Sequence, residues 1–254
     1  MDPLTAASAP VLDPVAFVRR FEAAALRAGF QVERFYEIAG CALLAATKRT
    51  PAPRPRIYLS AGIHGDEPAG PLALLALLER GAFDERAVWF LCPLLNPAGF
   101  LRHSRENAEG LDLNRDYKAQ KSAEIRAHAR WLLRQPNFDL TICVHEDWES
   151  TGFYLYELNP ANRQSLAKTI IEEVEPLCPI DPAPVIDGRP VSERGIIRPV
   201  NDPLAREQWP EAIYLRAHHT QLSYTLETPS AFPLDQRVAA HAAAIATAVA
   251  QLQP

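Results

Sequence analysis

Short segments rich in β-branched and aromatic residues recur along the chain, each bounded by Gly, Pro, Asn or Asp. Five of them are predicted to be β-strands: residues 56–63, 87–95, 140–145, 152–158 and 222–227. The first three are apolar almost throughout, which is typical of strands that are covered on both faces of a sheet. A sixth stretch, residues 32–48, is predicted to form an antiparallel hairpin at the edge of that sheet.

Amphipathic segments with helical periodicity lie between these strands. They are residues 68–80, 119–134, 162–175 and 234–252. A further helix is predicted over residues 13–28, because Asp13 suits the N-cap and Pro14 suits the first helical position. The alternation of strands and helices predicts an α/β fold with a mixed, mostly parallel twisted sheet and helices on both faces.

The organisation of the chain favours a single domain spanning residues 1–254. Its 254 residues suffice for one large core and are few for two. The proline-rich residues 52–55 are expected to be a short connector. Residues 176–199 are expected to be a long surface loop, and such loops often border a functional site.

Charge and composition exclude several classes of protein. The net charge of −5 and the pI of 5.8 argue against a nucleic-acid partner, since such proteins present a basic face. No segment approaches the roughly 18 apolar residues of a membrane span, and the first residues show no secretory signal. Four widely spaced cysteines are expected to be reduced, so we predict a cytoplasmic protein; its oligomeric state is not determined.

The first candidate metal ligands are His64 and Glu67, in the sequence AGIHGDEPAG. They follow a predicted strand and precede a predicted helix, and ligands gather at the carboxyl ends of strands in open α/β sheets. A histidine nitrogen and a carboxylate oxygen are zinc ligands, and a catalytic zinc keeps one position open for water. Alone, a histidine and a glutamate three residues apart also fit a loop histidine beside a capping carboxylate.

Two later strand ends carry further candidates. His145 closes the apolar segment 140–145, and the acidic residues directly after it are candidates to orient its imidazole. Glu227 closes the last predicted strand, where burial beside a metal would raise its pKa and suit it to accept a proton. Either residue is equally consistent with an ordinary strand end or turn.

A cluster of arginines and amides separates these candidates, within NPAGFLRHSRENAEGLDLNRDY over residues 96–117. Because a guanidinium matches a carboxylate in geometry, Arg105, Asn114 and Arg115 are candidates for binding a carboxylate or an oxyanion. Asn96 with Pro97 predicts a turn after the preceding strand. A solvated, charged loop is the competing interpretation.

Taken in order, these motifs resemble those of the zinc metallocarboxypeptidases, over about residues 56–229. The string RENAEGLDLNR, from Arg105 to Arg115, resembles that family's R-x-N-x-x-G-x-D-L-N-R signature and follows H-x-x-E by about 40 positions. The related aspartoacylase and succinylglutamate desuccinylase group shares H-x-x-E, D-L-N-R and the later His and Glu. The resemblance implies a zinc hydrolase of a compact, bacterial-style branch.

The resemblance also implies a role for each candidate. His64, Glu67 and His145 would bind one Zn²⁺ per chain. Arg105 would stabilise the oxyanion, and Asn114 with Arg115 would bind the free carboxylate of the substrate. Glu227 would act as general base.

Two reactions remain open on this resemblance. The first is removal of a C-terminal amino acid from a peptide, which the fuller arginine signature and the late Glu227 favour. The second is hydrolysis of an N-acyl amino acid. A metal-binding protein without enzymatic activity is a third possibility, disfavoured by the complete set of candidates. The floor of the substrate pocket is expected from Arg216, His218 and His219, and a basic floor would favour an acidic terminal residue.

Overall fold

The computed structural model describes residues 12–51 and 53–251. Three sequence predictions fall partly outside these residues. They are the absence of a secretory signal in residues 1–11, the start of the connector at residue 52 and the end of the last helix at residue 252.

One eight-stranded mixed sheet organises the described residues, and its four central strands run parallel. The strands are β1 (Gln31–Ile38), β2 (Cys41–Lys48), β3 (Arg56–Ala61), β4 (Val88–Cys92), β5 (Leu140–Asp147), β6 (Tyr154–Leu158), β7 (Val185–Ile186), β8 (Arg189–Pro190), β9 (Ile196–Ile197) and β10 (Ser223–Pro229). Their order in the sheet is β1-β2-β4-β3-β5-β10-β6-β9, and β7 pairs with β8 in a separate two-stranded ribbon. The mixed, mostly parallel α/β sheet is confirmed, and β1 with β2 forms the predicted antiparallel edge hairpin.

Helices cover both faces of this sheet. They are α1 (Pro14–Arg27), α2 (Ala69–Glu79), α3 (Pro97–Arg102), α4 (Ala123–Leu132), α5 (Ala167–Val174), α6 (Glu211–His218) and α7 (Leu234–Ala250). Asp13 caps α1 as predicted, accepting from the backbone N–H groups of Val15 and Ala16. None of the described helices is long and apolar enough to cross a lipid bilayer.

The core divides into two layers because successive side chains of a strand point to opposite faces. In β3, Ile57 and Leu59 pack in the layer formed with α1, α2, α5 and α7. Tyr58 lies between them in sequence but packs in the opposite layer, with α4 and α6. All four cysteines are free and buried, as expected of reduced structural residues.

Two helices depart from the sequence predictions. Asn96 and Pro97 begin α3 instead of a turn, since the Asn96 side chain accepts from the Gly99 N–H and caps the helix. Helix α6 was not predicted because its buried Ile213, Tyr214 and Leu215 are consecutive and show no helical spacing. Both helices are short, so periodicity carries little signal.

Two helix boundaries and one predicted loop also differ from the sequence predictions. Helix α4 begins later than predicted because the Asp116 carboxylate holds the N–H groups of Lys121 and Ser122, and Ser122 then caps the helix. Helix α5 begins later because the Asn159 side chain accepts from the Arg163 N–H and holds a turn. The predicted surface loop 176–199 contains β7, β8 and β9, and β9 extends the main sheet.

Candidate metal centre

The candidate residues meet at the carboxyl ends of three adjacent parallel strands. Strand β3 pairs with β5 in the register Ala61 to Val144, so the loop after β3 lies beside His145. Strand β10 pairs with the other side of β5 and places Glu227 opposite His145. The sheet therefore brings together side chains that lie far apart in the sequence.

A close backbone approach fixes the loop that carries His64 and Glu67. The Gly65 N–H donates to the Ser104 carbonyl at 3.0 Å. A Cβ on Gly65 would lie 2.0 Å from the Gly99 carbonyl carbon, so only glycine fits there. The H-G-D-E turn is thus held directly against the start of the arginine-rich segment.

The Glu67 carboxylate lies between two imidazoles. His64 Nδ1 is 2.5 Å from Glu67 Oε1, and His145 Nδ1 is 3.0 Å from Glu67 Oε2. All three side chains are almost fully buried. One ligand atom from each lies within 4.8 Å of the others, so the three can converge on a single ion.

The electrostatics of this cluster favour an ionised Glu67 carboxylate. Burial alone would raise the pKa of Glu67, but the charges and hydrogen bonds of His64 and His145 hold it well below its usual value. Burial lowers the pKa of His64, yet the charge of Glu67 and the hydrogen bonds that the imidazole donates to Asp112 and Glu67 outweigh it and raise that pKa to about 9. The ionised Glu67 carboxylate thus favours positive charge on the His64 imidazole.

This donor set fits a zinc ion. Two imidazole nitrogens and one carboxylate oxygen are the ligands of a common class of catalytic zinc site, which leaves a fourth position open. A cation held by these atoms would provide the positive charge that the buried carboxylate attracts.

Asp112 orients two of the candidates, a role that the sequence analysis did not assign. Its Oδ1 lies 3.3 Å from His64 Nε2, and its Oδ2 accepts from Arg105 Nε at 3.0 Å. Oδ1 also accepts from the Asn114 N–H at 2.8 Å. In the sequence, only the position of Asp112 within the D-L-N-R motif pointed to a functional role. A carboxylate on the far nitrogen fixes the orientation of a metal-binding imidazole.

We expect Asp112→Asn to weaken zinc binding about 10- to 100-fold, because loss of such a partner typically has that effect. Competition with a chromophoric chelator would measure the affinity. Glu106→Gln is a matched control, since the Glu106 carboxylate accepts from the Ser104 hydroxyl nearby and touches neither histidine. Equal zinc affinity in Asp112→Asn and the unmodified protein would contradict this role.

The arginine and amide candidates line the same site. Arg105 Nη1 lies 3.7 Å from Glu67 Oε1. The Asn114 side chain accepts from the Glu211 N–H at 2.9 Å and places its Nδ2 3.5 Å from His145 Nε2. Arg115 Nη1 donates to the Asn114 carbonyl at 2.9 Å. Three potential anion-binding groups therefore lie around the three candidate ligands.

The acidic residues after His145 do not orient it, contrary to the sequence expectation. Glu146 accepts from the Ala69 N–H and pairs with Arg237 on the opposite side of the strand. Asp147 accepts from the Tyr154 hydroxyl. Side chains alternate in direction along β5, so His145 faces Asn114 while Glu146 faces α7.

Glu227 is half-buried and lines the cavity that contains the candidate ligands. Burial raises its pKa to about 8; the charge of His145 opposes this, while the charges of Glu67 and Asp147 add to it. A carboxylate with such a pKa can take up and return a proton near neutral pH.

The cavity has a volume of about 480 Å³, and its lining includes His64 together with seven residues between Asp187 and Arg206. The long segment after α5 therefore borders the site, as expected. The expected pocket floor is wrong: Arg216, His218 and His219 do not line the cavity, and Arg216 instead lies 4.0 Å from Asp202. Helix α6 contributes Ala212 and Ile213, and the arginines that line the cavity are Arg105, Arg115, Arg189 and Arg206.

Comparison with known proteins finds one matching family profile. The profile of the succinylglutamate desuccinylase/aspartoacylase catalytic domain matches residues 53–175. No curated protein matches the chain.

Three solved structures share the fold. A protein from Shewanella amazonensis named "putative metallopeptidase" is 29% identical, with a TM-score of 0.81 over 94% of this chain and 92% of that one. A Shewanella baltica protein of the same name is 27% identical, with a TM-score of 0.80 over 92% and 90%. A metallo-carboxypeptidase from Burkholderia cenocepacia is 18% identical, with a TM-score of 0.70 over 92% and 67%, and shows likeness of fold alone.

Proposed function

Because the chain belongs to the zinc carboxypeptidase-like family, we propose that it is a zinc-dependent hydrolase that removes a C-terminal amino acid from a peptide. The observation that carries this proposal is the convergence of His64, Glu67 and His145 beside Arg105, Asn114 and Arg115 in one cavity. One zinc ion per chain is expected.

The chemistry divides between the metal and the protein. When bound, zinc would supply Lewis acidity and allow water to attack at neutral pH. Glu227 would take the proton from the attacking water and return it to the departing amine. Arg105 would face the oxygen on which negative charge develops, where a preorganised cation is most effective.

The Asn114 amide and the Arg115 guanidinium would bind the free carboxylate of the substrate. The Asn114 side chain is held by the Glu211 N–H, and Arg115 is tied to the Asn114 carbonyl, so both are preorganised. A charge-assisted contact to the carboxylate would place the adjacent amide bond between Glu227 and the candidate ligands. This requirement limits substrates to those with a free carboxylate near the scissile bond.

Hydrolysis of an N-acyl amino acid is the second candidate function. The match to the succinylglutamate desuccinylase/aspartoacylase domain supports it directly. N-acyl amino acids would meet the same requirement, because they also carry a free carboxylate next to the amide bond that is hydrolysed. The fuller Arg105–Arg115 signature and the late Glu227 remain the reasons for preferring the carboxypeptidase.

We expect the zinc-loaded protein to release single C-terminal residues from a mixed pool of free-carboxyl peptides and N-acyl amino acids, and to stop doing so when zinc is chelated. Mass spectrometry of the products would measure both. Release of acyl groups alone would identify the second reaction. Products that persist after chelation would contradict a zinc-dependent hydrolase.

A further inference from the structure

One buried carboxylate near the candidate site has no role in the proposed reaction. Glu211 is the first residue of α6, and its side chain is almost fully buried and does not line the cavity. Within the part of the chain that the structure describes, this carboxylate accepts from hydroxyls and forms no ion pair with an arginine, lysine or histidine. Burial of a carboxylate without a cation is costly, so its contacts indicate what it does.

Two hydroxyls of β3 hold the Glu211 carboxylate. The Tyr58 hydroxyl donates to Oε1 at 2.7 Å, and the Ser60 hydroxyl donates to Oε2 at 2.9 Å. Tyr58 and Ser60 are two positions apart, so their side chains leave the same face of the sheet. The carboxylate therefore connects the first turn of α6 to the strand that leads into the loop of His64.

A buried histidine fixes the direction of the hydrogen bond from Tyr58. His128 Nε2 lies 3.0 Å from the Tyr58 hydroxyl oxygen, and His128 Nδ1 lies 2.7 Å from the Tyr117 hydroxyl oxygen. Burial lowers the pKa of His128 to about 3, so the imidazole is neutral and has one donor and one acceptor nitrogen. Because the Tyr58 proton points to Glu211, the Nε2–H donates to Tyr58, and Tyr117 donates to Nδ1.

The backbone of Glu211 in turn holds the Asn114 side chain. The first N–H groups of a helix have no acceptor within the helix, and the Glu211 N–H donates to Asn114 Oδ1 at 2.9 Å. An asparagine amide accepts at its oxygen and donates at its nitrogen. Because an N–H group can only donate, it selects the oxygen and leaves Asn114 Nδ2 3.5 Å from His145 Nε2. In this orientation Asn114 can donate to an anion in the cavity that it lines.

We propose that Glu211 is a positioning residue for substrate binding: its carboxylate fixes the start of α6, so that its N–H orients the Asn114 amide toward the carboxylate of the substrate. The role rests on the proposed function, in which Asn114 and Arg115 bind that carboxylate. Without the anchor, the Asn114 oxygen is free to turn toward the cavity, where it would repel the carboxylate. Glu211 itself acts from outside the cavity.

The test compares L-alanine with L-alaninamide, which carries a carboxamide in place of the carboxylate. L-Alanine is a suitable probe because both candidate reactions release a free amino acid. By NMR titration of the zinc-loaded protein, we expect L-alanine to bind more tightly than L-alaninamide. Glu211→Ala should weaken L-alanine binding at least about 10-fold, since a hydrogen bond to a charged group contributes a factor of this size. The affinity for L-alaninamide and the zinc content should stay the same.

A double-mutant cycle separates positioning from a general loss of stability. If Glu211 acts through Asn114, Glu211→Ala should have almost no further effect on L-alanine binding in an Asn114→Ala background. Glu211→Gln keeps the shape and one acceptor oxygen, and should restore most of the affinity. With a peptide that is hydrolysed, the loss should appear in KM at nearly unchanged kcat, because the carboxylate contact is the same in the ground state and the transition state.

Tyr58→Phe and Tyr117→Phe are a matched pair that keeps the core filled. Each removes a buried hydroxyl that contacts His128, but only the Tyr58 hydroxyl contacts Glu211. Tyr58→Phe should weaken L-alanine binding, whereas Tyr117→Phe should leave it unchanged, even if both lower Tm. This pair gives the answer if Glu211→Ala does not fold.

Unchanged L-alanine affinity in Glu211→Ala would overturn the positioning role, as would equal losses in Tyr58→Phe and Tyr117→Phe. A full further loss in the Asn114→Ala background would also contradict it. If the unmodified protein binds L-alanine and L-alaninamide equally, Asn114 has no carboxylate to bind and the role is wrong. These measurements need no turnover, so an absence of hydrolysis would contradict the proposed function alone.

Discussion

Replacement of Glu227 by Gln is expected to lower kcat by about 10²- to 10⁴-fold, the usual contribution of a positioned acid–base group. Gln has the same shape but cannot accept a proton from water or return one to the leaving amine. Burial raises the pKa of Glu227 to about 8, which shows how strongly the site favours a proton there. A nearby cation would favour the ionised carboxylate that a base requires.

The Glu227→Gln protein should keep a full equivalent of zinc, because Glu227 is not among the three candidate ligands. Metal analysis and steady-state kinetics on the same preparation measure the two properties together. Glu149→Gln is a suitable control, since Glu149 is an exposed carboxylate lining the same cavity and its backbone, not its side chain, is held by Asp147. Near-normal kcat in a zinc-loaded Glu227→Gln protein would contradict the proposed role of Glu227 as general base.

His145→Ala is expected to lose the metal itself, and His64→Ala should do the same. Each change removes one of three donors from a buried site, so zinc affinity should fall by at least about 100-fold, the upper end expected for loss of an orienting partner such as Asp112. Metal analysis after dialysis would measure the loss. Because zinc binds only the folded state strongly, its stabilising shift in Tm should also disappear.

His103→Asn is the matched control for both histidine variants. His103 is exposed, ends α3 in the left-handed conformation that Asn also adopts readily, and lies outside the candidate ligand set. It should retain a full equivalent of zinc and the same shift in Tm. If His145→Ala retained a full equivalent of zinc at unchanged affinity, His145 would not be a metal ligand.

The sequence predicted correctly those features that depend on residues close together in the chain. Continuous apolar runs predicted the central strands, since burial on both faces needs apolar side chains at every position. Asp13 and Pro14 predicted the start of α1, because capping involves only the first turn. The H-x-x-E and D-L-N-R motifs indicated the family because their spacing is a property of single loops.

Local patterns failed where contacts distant in sequence decide the conformation. Asn96 and Pro97 are compatible with both a turn and the start of a helix. In the structure they begin a helix, in which Gly99 packs against the distant Gly65. The orienting partner of His64 was not recognised, because Asp112 reaches it across 48 residues. Arg216 was expected at the pocket floor because it shortly precedes Glu227 in the sequence, but sequence distance does not determine which side chain lines the cavity, and Arg216 lies outside it.

By itself, then, the sequence determined the strand-and-helix alternation, the α/β class and the candidates for metal binding. Tertiary structure decided which of them meet: the parallel pairing of β3, β5 and β10 brings His64, His145 and Glu227 to one edge of the sheet. It also placed Arg189 and Arg206 in the lining of the same cavity as Arg115. The physical reason is that residue type and local spacing fix chemistry and backbone preference, whereas strand register and the packing of long segments fix distances between side chains.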